Sequence, residues 1–256
     1  MKQISVVIVC KNEAGVIGAT LQNLHGLTDD IIVFDNGSTD DTVSIVRQFN
    51  VKLHQGSWEG FGKTKAKANN LAKYDWILSL DADEQVDEEL KFSLLKFEPD
   101  SDKIVYDLKF KNYLGHKLIK YGEWGNDFHI RLFNRNIVQW NNELVHETLL
   151  LPPNVKVEKM KGTIVHQTMN DLNEYAQKTV HYAMLSAEKY YLQGKRPSWF
   201  KINLSPVFNF LNYYILKLGF LDGFEGYVCA KMTAHYTFLK YARLKELWNK
   251  QVSPDS

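Results

Sequence analysis

The chain has 256 residues, 45% of them hydrophobic, which is enough for one large domain, or for a catalytic domain with an appended piece, and excludes disorder as its general state. Thirty-one Lys and Arg against thirty Asp and Glu leave a net charge of +1, so nucleic-acid binding through bulk charge is excluded and any charged function must be local. Two distant cysteines, Cys10 and Cys229, offer neither a disulfide framework nor a structural zinc site and fit a reducing compartment.

The first hundred residues alternate short apolar runs with helical patterns. Strands are expected at 4–10, 31–35, 51–54 and 76–81, and helices at 13–24, 40–49, 60–73 and 87–97. Such alternation reads as βαβ units on a mostly parallel sheet. The runs Ser5-Val6-Val7-Ile8-Val9 and Ile31-Ile32-Val33-Phe34 are apolar throughout, as expected where helices cover both faces. The fold class is therefore α/β. Segments 104–111, 129–134, 155–158 and 163–166 then predict a mixed extension of the sheet. Asp171-Leu172-Asn173-Glu174 has the spacing of a capping box, and Leu172, Tyr175, Ala176, Thr179, Ala183 and Ala187 recur at helical spacing until Gly194, predicting a long amphipathic helix.

Residues 195–250 differ in composition, with nine Lys or Arg against three acids and dense aromatics from Trp199 to Trp248. This suits an interfacial membrane anchor, and equally a helical cap on the core with a solvated charged face. The most apolar stretch, 204–221, is interrupted by Asn209, Asn212 and Lys217, so no membrane span is expected. Met1-Lys2-Gln3 leads directly into a short strand without a secretory h-region, which predicts a cytoplasmic location.

The strongest chemical signal is Trp76-Ile77-Leu78-Ser79-Leu80-Asp81-Ala82-Asp83-Glu84, an apolar strand ending in two carboxylates. Ligands of parallel sheets gather at the carboxyl ends of strands, and hard oxygen donors there suit Mg²⁺ or Mn²⁺ with positions left for phosphates. The bland alternative, capping of the next helix, is a role Asp87 already suits. A second strand ends in Phe34-Asp35-Asn36-Gly37-Ser38-Thr39-Asp40, an Asp tip followed by a turn and a helix start. The first strand runs into Lys11-Asn12-Glu13 at the same sheet edge.

These segments, together with Gly62-Lys63-Thr64-Lys65-Ala66-Lys67-Ala68-Asn69, occur in the order and spacing of the family 2 glycosyltransferases, which the chain resembles. The similarity continues through Trp124-Gly125-Asn126-Asp127-Phe128-His129-Ile130-Arg131, Trp140, Val145-His146-Glu147 and His166 into 210–223, where it is similar to the branch of lipopolysaccharide and lipooligosaccharide core β-1,4-glucosyltransferases. The resemblance implies a GT-A fold: a Rossmann-like, mostly parallel mixed sheet flanked by helices. It further implies a domain at 1–168, with a nucleotide-binding half (1–100) and an acceptor half (101–168), and a helical, basic aromatic extension at 169–256. It implies a UDP-sugar donor, glucose first among the sugars, a Mg²⁺ or Mn²⁺ ion, and an acceptor in lipopolysaccharide core or a related glycan, while the basic aromatic composition of the extension adds the expectation of peripheral association with the inner, anionic face of the cell membrane.

Carried onto this chain, the resemblance assigns Lys11, Asn12 and Glu13 to the nucleotide pocket and Asp35 to the uracil. Lys63 would lie near the nucleotide, Asp81 would face the ribose, Ala82 sits between the two acids, and Asp83 would face the metal-bound diphosphate. His166 would complete the metal site, and Arg131 and Arg135 are candidates to hold the diphosphate or an anionic acceptor, since the guanidinium fork matches phosphate. Inverting transfer needs one general base. Glu147 is preferred, with Glu143 and Asp127 open. Trp124 and Trp140 are candidates for stacking on a sugar face, and His146 for acceptor contact, although core packing is the commoner fate of tryptophan. Competing readings are a phosphatase with D-x-D after a strand, disfavoured by Gln85, a nucleotidyltransferase, disfavoured by Lys11-Asn12-Glu13 where a Gly-rich phosphate loop belongs, and a membrane scaffold that has lost its chemistry, opposed by the intact Asp35, Asp81 and Asp83.

Overall fold

The computed structural model describes residues 3–141 and 148–252. The chain forms two compact units, one of Met1–Phe110 with Phe128–His166 and the other of Lys111–Asp127 with Gln167–Ser256.

In the first unit, β1 (Ile4–Cys10), β2 (Ile31–Asp35), β3 (Lys52–Gln55) and β4 (Trp76–Asp81) are the strands that the apolar runs predict. The pairs β1–β2, β2–β3 and β1–β4 are all parallel. Helices α1 (Ile17–Asn23), α2 (Thr42–Val46) and α3 (Phe61–Asn70) form the crossovers. Each is shorter than its sequence pattern, because turns take up the ends: Val16 and Ile17 both donate to the Glu13 carbonyl before α1 begins. The strand β5 (Glu84–Val86) leads into α4 (Glu88–Leu95), which Asp87 caps by accepting from Leu90 N at 2.9 Å.

The sheet continues through β6 (Ile104–Leu114), β8 (Phe128–Asn134) and β11 (Lys156–Met169) in the order β3-β2-β1-β4-β8-β6-β11-β5, with the short β7 (Lys117–Leu118) paired to β6. The β4–β8, β6–β8 and β11–β5 pairs are antiparallel, so the sheet is mixed, parallel through its β3-β2-β1-β4 half and with antiparallel pairs beyond β4. The two expected segments 155–158 and 163–166 are one strand of 14 residues. Gly162 permits this at φ +95, and a Cβ there would stand 2.1 Å from the backbone nitrogen of Leu90. β9 (Gln139–Trp140) and β10 (Leu149–Leu150) pair antiparallel as a separate two-stranded sheet. Apolar side chains cover both faces of β1: Val6, Ile8 and Leu78 belong to one core cluster, Val7, Ile32 and Ile77 to the other. The α/β expectation is thus met, and helices follow at the C-terminal end.

The second unit holds α5 (Leu172–Leu192), α6 (Trp199–Leu211) and α7 (Gly223–Val252), with a π-helical turn (Asn212–Leu216) and a 3-10 turn (Gly219–Asp222) between the last two. The capping box is present: Asp171 accepts from Glu174 N at 2.8 Å, while Glu174 reaches back one residue further, to Asn170 N at 2.7 Å. Asp222 is buried and accepts the backbone N–H groups of Lys120 and Tyr121, which ties segment 111–127 to the helices. Among the described residues, no helix is long and apolar enough to cross a membrane.

Candidate active site

Strand register builds the site. Asp35 stands opposite Cys10, and Asp81 opposite Val9, so two carboxylates flank the carboxyl end of β1 on its two parallel neighbours. This is where open α/β sheets bind ligands.

On the β2 side, Asp35 is buried and its oxygens accept from Gly37 N, Ser38 N, the Ser38 hydroxyl and Gln55 Nε2. Asn12, in the left-handed region at φ 57, accepts from Thr39 N at 2.8 Å while its own N–H donates to Ser38 Oγ at 2.8 Å. Glu13 N donates to Thr42 Oγ1 at 2.7 Å, and Lys11 is exposed. These bonds make the Asp35 carboxylate the centre around which the loop folds. Among the described residues, the neighbouring Asn36 Oδ1 is buried without a hydrogen-bond partner, as is Thr64 Oγ1 on α3, and an unsatisfied buried acceptor is a position that a ligand donor can fill.

On the β4 side, Asp81 sits between two cations, 3.2 Å from Lys65 Nζ and 3.0 Å from Arg131, and Arg131 also pairs with the buried Glu84. Burial pushes the Asp81 carboxyl up, but Lys65 and Arg131 outweigh it and hold the group far below the usual carboxylate range. Burial pushes Glu84 up instead, and the nearby Asp81 charge adds to this against the pull of Arg131. Glu84 Oε2 accepts from Asp81 N at 3.0 Å, which fixes the turn that carries the acids. Ala82 is buried in that turn, and its carbonyl accepts from Thr20 Oγ1 of α1 at 2.6 Å.

The β5–β11 pairing sets His166 opposite Glu84 and brings its Nε2 to 3.4 Å from an Asp83 oxygen. Burial lowers the imidazole pKa, but the hydrogen bond and charge of Asp83 outweigh it and hold the pKa above its ordinary value. Among the described residues no three His, Cys, Asp or Glu side chains converge as a metal cage. The Asp83–His166 pair is an open set of one carboxylate and one imidazole, which fits Mn²⁺ better than the harder Mg²⁺ and leaves positions for ligand oxygens.

Lys65, Asp81, Asp107, His129, Arg131 and Trp140 line a cleft of ≈ 500 Å³. The Lys65 side chain is 5% exposed and its ammonium lies 5.0 Å from the Trp140 ring centroid, whereas the Asp81 carboxylate is 40% exposed to the cleft. Trp140 is largely buried and meets Phe133 edge to face, so it forms a wall of the cleft.

Lys63, the lysine expected near the nucleotide, is exposed, and Lys65 is the one that meets Asp81. Helical period carried the signal: Lys65 shares a face with the buried Ala68 and Asn69 at i+3 and i+4, and Lys63 lies about 200° away from it. Glu84 was hidden as a third acid after a recognised pair. Trp124 and Asp127 belong to the second unit. There Trp124 packs on the Tyr175 ring at 5.3 Å, and Asp127 accepts from Asn112 Nδ2 at 2.8 Å. Glu143, His146 and Glu147 lie outside the described residues.

The Glycosyl transferase family 2 model matches residues 5–137, which include the strand tips, Lys65, both acids and Arg131. The chain belongs to glycosyl transferase family 2. It is similar over 96% of its length to an uncharacterized glycosyltransferase of Rickettsia typhi, at 29% identity and covering 88% of that protein. It is also 27% identical to the lipopolysaccharide core biosynthesis glycosyltransferase LpsC of Rhizobium meliloti, across 94% of this chain and 91% of that one. The crystal structure of S. aureus TarS 1-349 aligns with 97% of this chain and 92% of its own, at 16% identity and a TM-score of 0.49.

Proposed function

We propose that this glycosyltransferase inverts the anomeric centre as it moves a hexose, glucose foremost, from a UDP-sugar to a lipopolysaccharide core glycan. The observation that carries the reading is the cleft at the carboxyl ends of β1 and β4, where Lys65 and Arg131 converge on Asp81 beside the Asp83–His166 pair. Similarity to LpsC along nearly the whole chain supports the acceptor class.

In this reading the loop held by Asn12 and Asp35, with Lys11 and Glu13 beside it, receives the nucleoside, and Asn36 Oδ1 supplies a free acceptor for an N–H of the base. Asp81 faces the ribose. Lys65 and Arg131 lie where negative charge builds on the departing diphosphate, in a partly water-excluded wall where charges interact more strongly than in bulk water. Asp83 and His166 would hold a Mn²⁺ or Mg²⁺ ion, which would further neutralise that leaving group. The acceptor hydroxyl attacks the anomeric carbon from the face opposite the diphosphate. One carboxylate takes its proton, the carbon–oxygen bond to the diphosphate breaks, and UDP departs with the electron pair. Glu147 is the preferred base, with Glu143 the alternative.

The stereochemical outcome tests the mechanism. With an α-linked UDP-sugar donor and a core oligosaccharide acceptor, proton NMR of the product is expected to show a β-linkage. An α-linked product contradicts the single-base displacement.

A further inference from the structure

The second unit presents a surface that runs against the usual polarity of a helix. Helix α6 turns Asn209 toward α7, where its Nδ2 donates to Thr237 Oγ1 at 2.8 Å, and none of its residues is fully buried. Its outward stripe is Phe200, Leu204, Val207, Phe208 and Leu211, at spacings of three and four, all exposed, with Phe200 at 67%. The apolar exposure continues through Ile215 and Leu216 in the π-helical turn, Phe220 and Leu221 in the 3-10 turn, and Phe224 at 72%. An apolar stripe of this extent, continuous over several turns, marks an interaction surface and not ordinary scatter.

Charge indicates what covers it. Between Glu188 and Asp222 there is no acidic residue, while Lys189, Lys195, Arg196, Lys201 and Lys217 all fall in that interval. Lys201 and Lys240 border a groove of ≈ 370 Å³ between α6 and α7, whose other lining includes Phe200, Leu204 and Phe208. Ammonium groups beside aliphatic and aromatic side chains match an anionic headgroup above an acyl chain, and exposed Trp199 suits the interface between them.

We infer that α6 and the two turns after it form a monotopic membrane surface, inserting the Phe200–Leu204–Phe208 stripe into the headgroup layer of an anionic bilayer. The inference rests on the reading of a membrane-linked glycan as acceptor and specifies the surface involved. Apolar insertion adds a component that salt does not remove, whereas a purely electrostatic contact is screened away.

The test is flotation of the full chain with phosphatidylcholine vesicles, with and without phosphatidylglycerol, at low and at molar salt. Binding is expected on the phosphatidylglycerol vesicles, with part of it retained at molar salt. The double variant Leu204→Glu, Phe208→Glu is expected to lose about tenfold or more in partitioning, since each exposed side chain contributes of the order of its transfer free energy. A second variant, Lys201→Glu with Lys217→Glu, is expected to weaken binding at low salt and leave the salt-resistant part. Absence of binding to anionic vesicles overturns the inference, as does binding that molar salt abolishes completely. So does a concentration-dependent dimer, measured by light scattering, that the Leu204→Glu, Phe208→Glu variant dissolves, because a second copy then covers the stripe. UDP titration on the same preparations separates the two claims: loss of vesicle binding with donor binding intact removes only this surface, and vesicle binding without donor binding removes only the enzymatic reading.

Discussion

At the scale of single residues, the site turns on which lysine of α3 faces the sheet. Lys65 is nearly inaccessible and holds one side of Asp81, while Lys63 is exposed. Replacing Lys65 with Ala removes a fixed charge beside the proposed leaving group and is expected to lower kcat on the order of 10²-fold. Lys63→Ala, a surface change, is expected to stay within about twofold. Steady-state kinetics on the two variants checks this, and equal losses, or no loss from Lys65→Ala, contradict the assignment. Asp81 and Asp83 were legible in the sequence because an apolar strand delivers them to the carboxyl edge of a parallel sheet. Asp35 was legible in place but not in partners, since nothing in Asp35-Asn36-Gly37-Ser38 alone shows that the loop folds back onto its own carboxylate. The motif holds both Lys63 and Lys65 and does not choose between them, whereas the helical spacing of Lys65 to the buried Ala68 and Asn69 does.

At the scale of elements, β1, β2 and β4 match their apolar runs residue for residue, because strands covered on both faces require an unbroken hydrophobic string. The helix ends and β11 were less legible. Gly162 reads locally as a break between two short segments, yet the strand passes through it, since only a residue without Cβ fits against Leu90 of α4. The register downstream sets His166 opposite Glu84, so the close approach at Gly162 lies on the same strand as the candidate metal ligand. Gly162→Ala combines a positive φ with a Cβ 2.1 Å from the Leu90 nitrogen and is expected to destabilise the fold by about 3 kcal/mol, read as a lowered urea midpoint with unchanged slope. A stability equal to that of the parent contradicts the packing described. The alternation Asn209 inward and Phe208 outward on α6 was also hidden, because hydrophobic periodicity reports that a stripe exists and not whether protein or lipid covers it.

At the scale of the whole molecule, a linear reading divides the chain once, near residue 168, whereas the folded chain groups 111–127 with the C-terminal helices. Composition cannot show such an exchange, since the tie is made by Asp222 accepting backbone N–H groups a hundred residues earlier in the chain. What the chain as a whole did make legible is its family, through motifs that are each ordinary and together specific. The central claim is that the Asp81–Asp83 edge binds a nucleoside diphosphate through a divalent ion. The most direct measurement is calorimetric titration of UDP into the protein with Mn²⁺ and then with EDTA, repeated on Asp83→Ala. The account predicts binding that requires both the metal and Asp83, while Lys63→Ala titrates like the parent. Silence toward UDP, GDP, CDP and TDP alike in the presence of Mn²⁺ contradicts it.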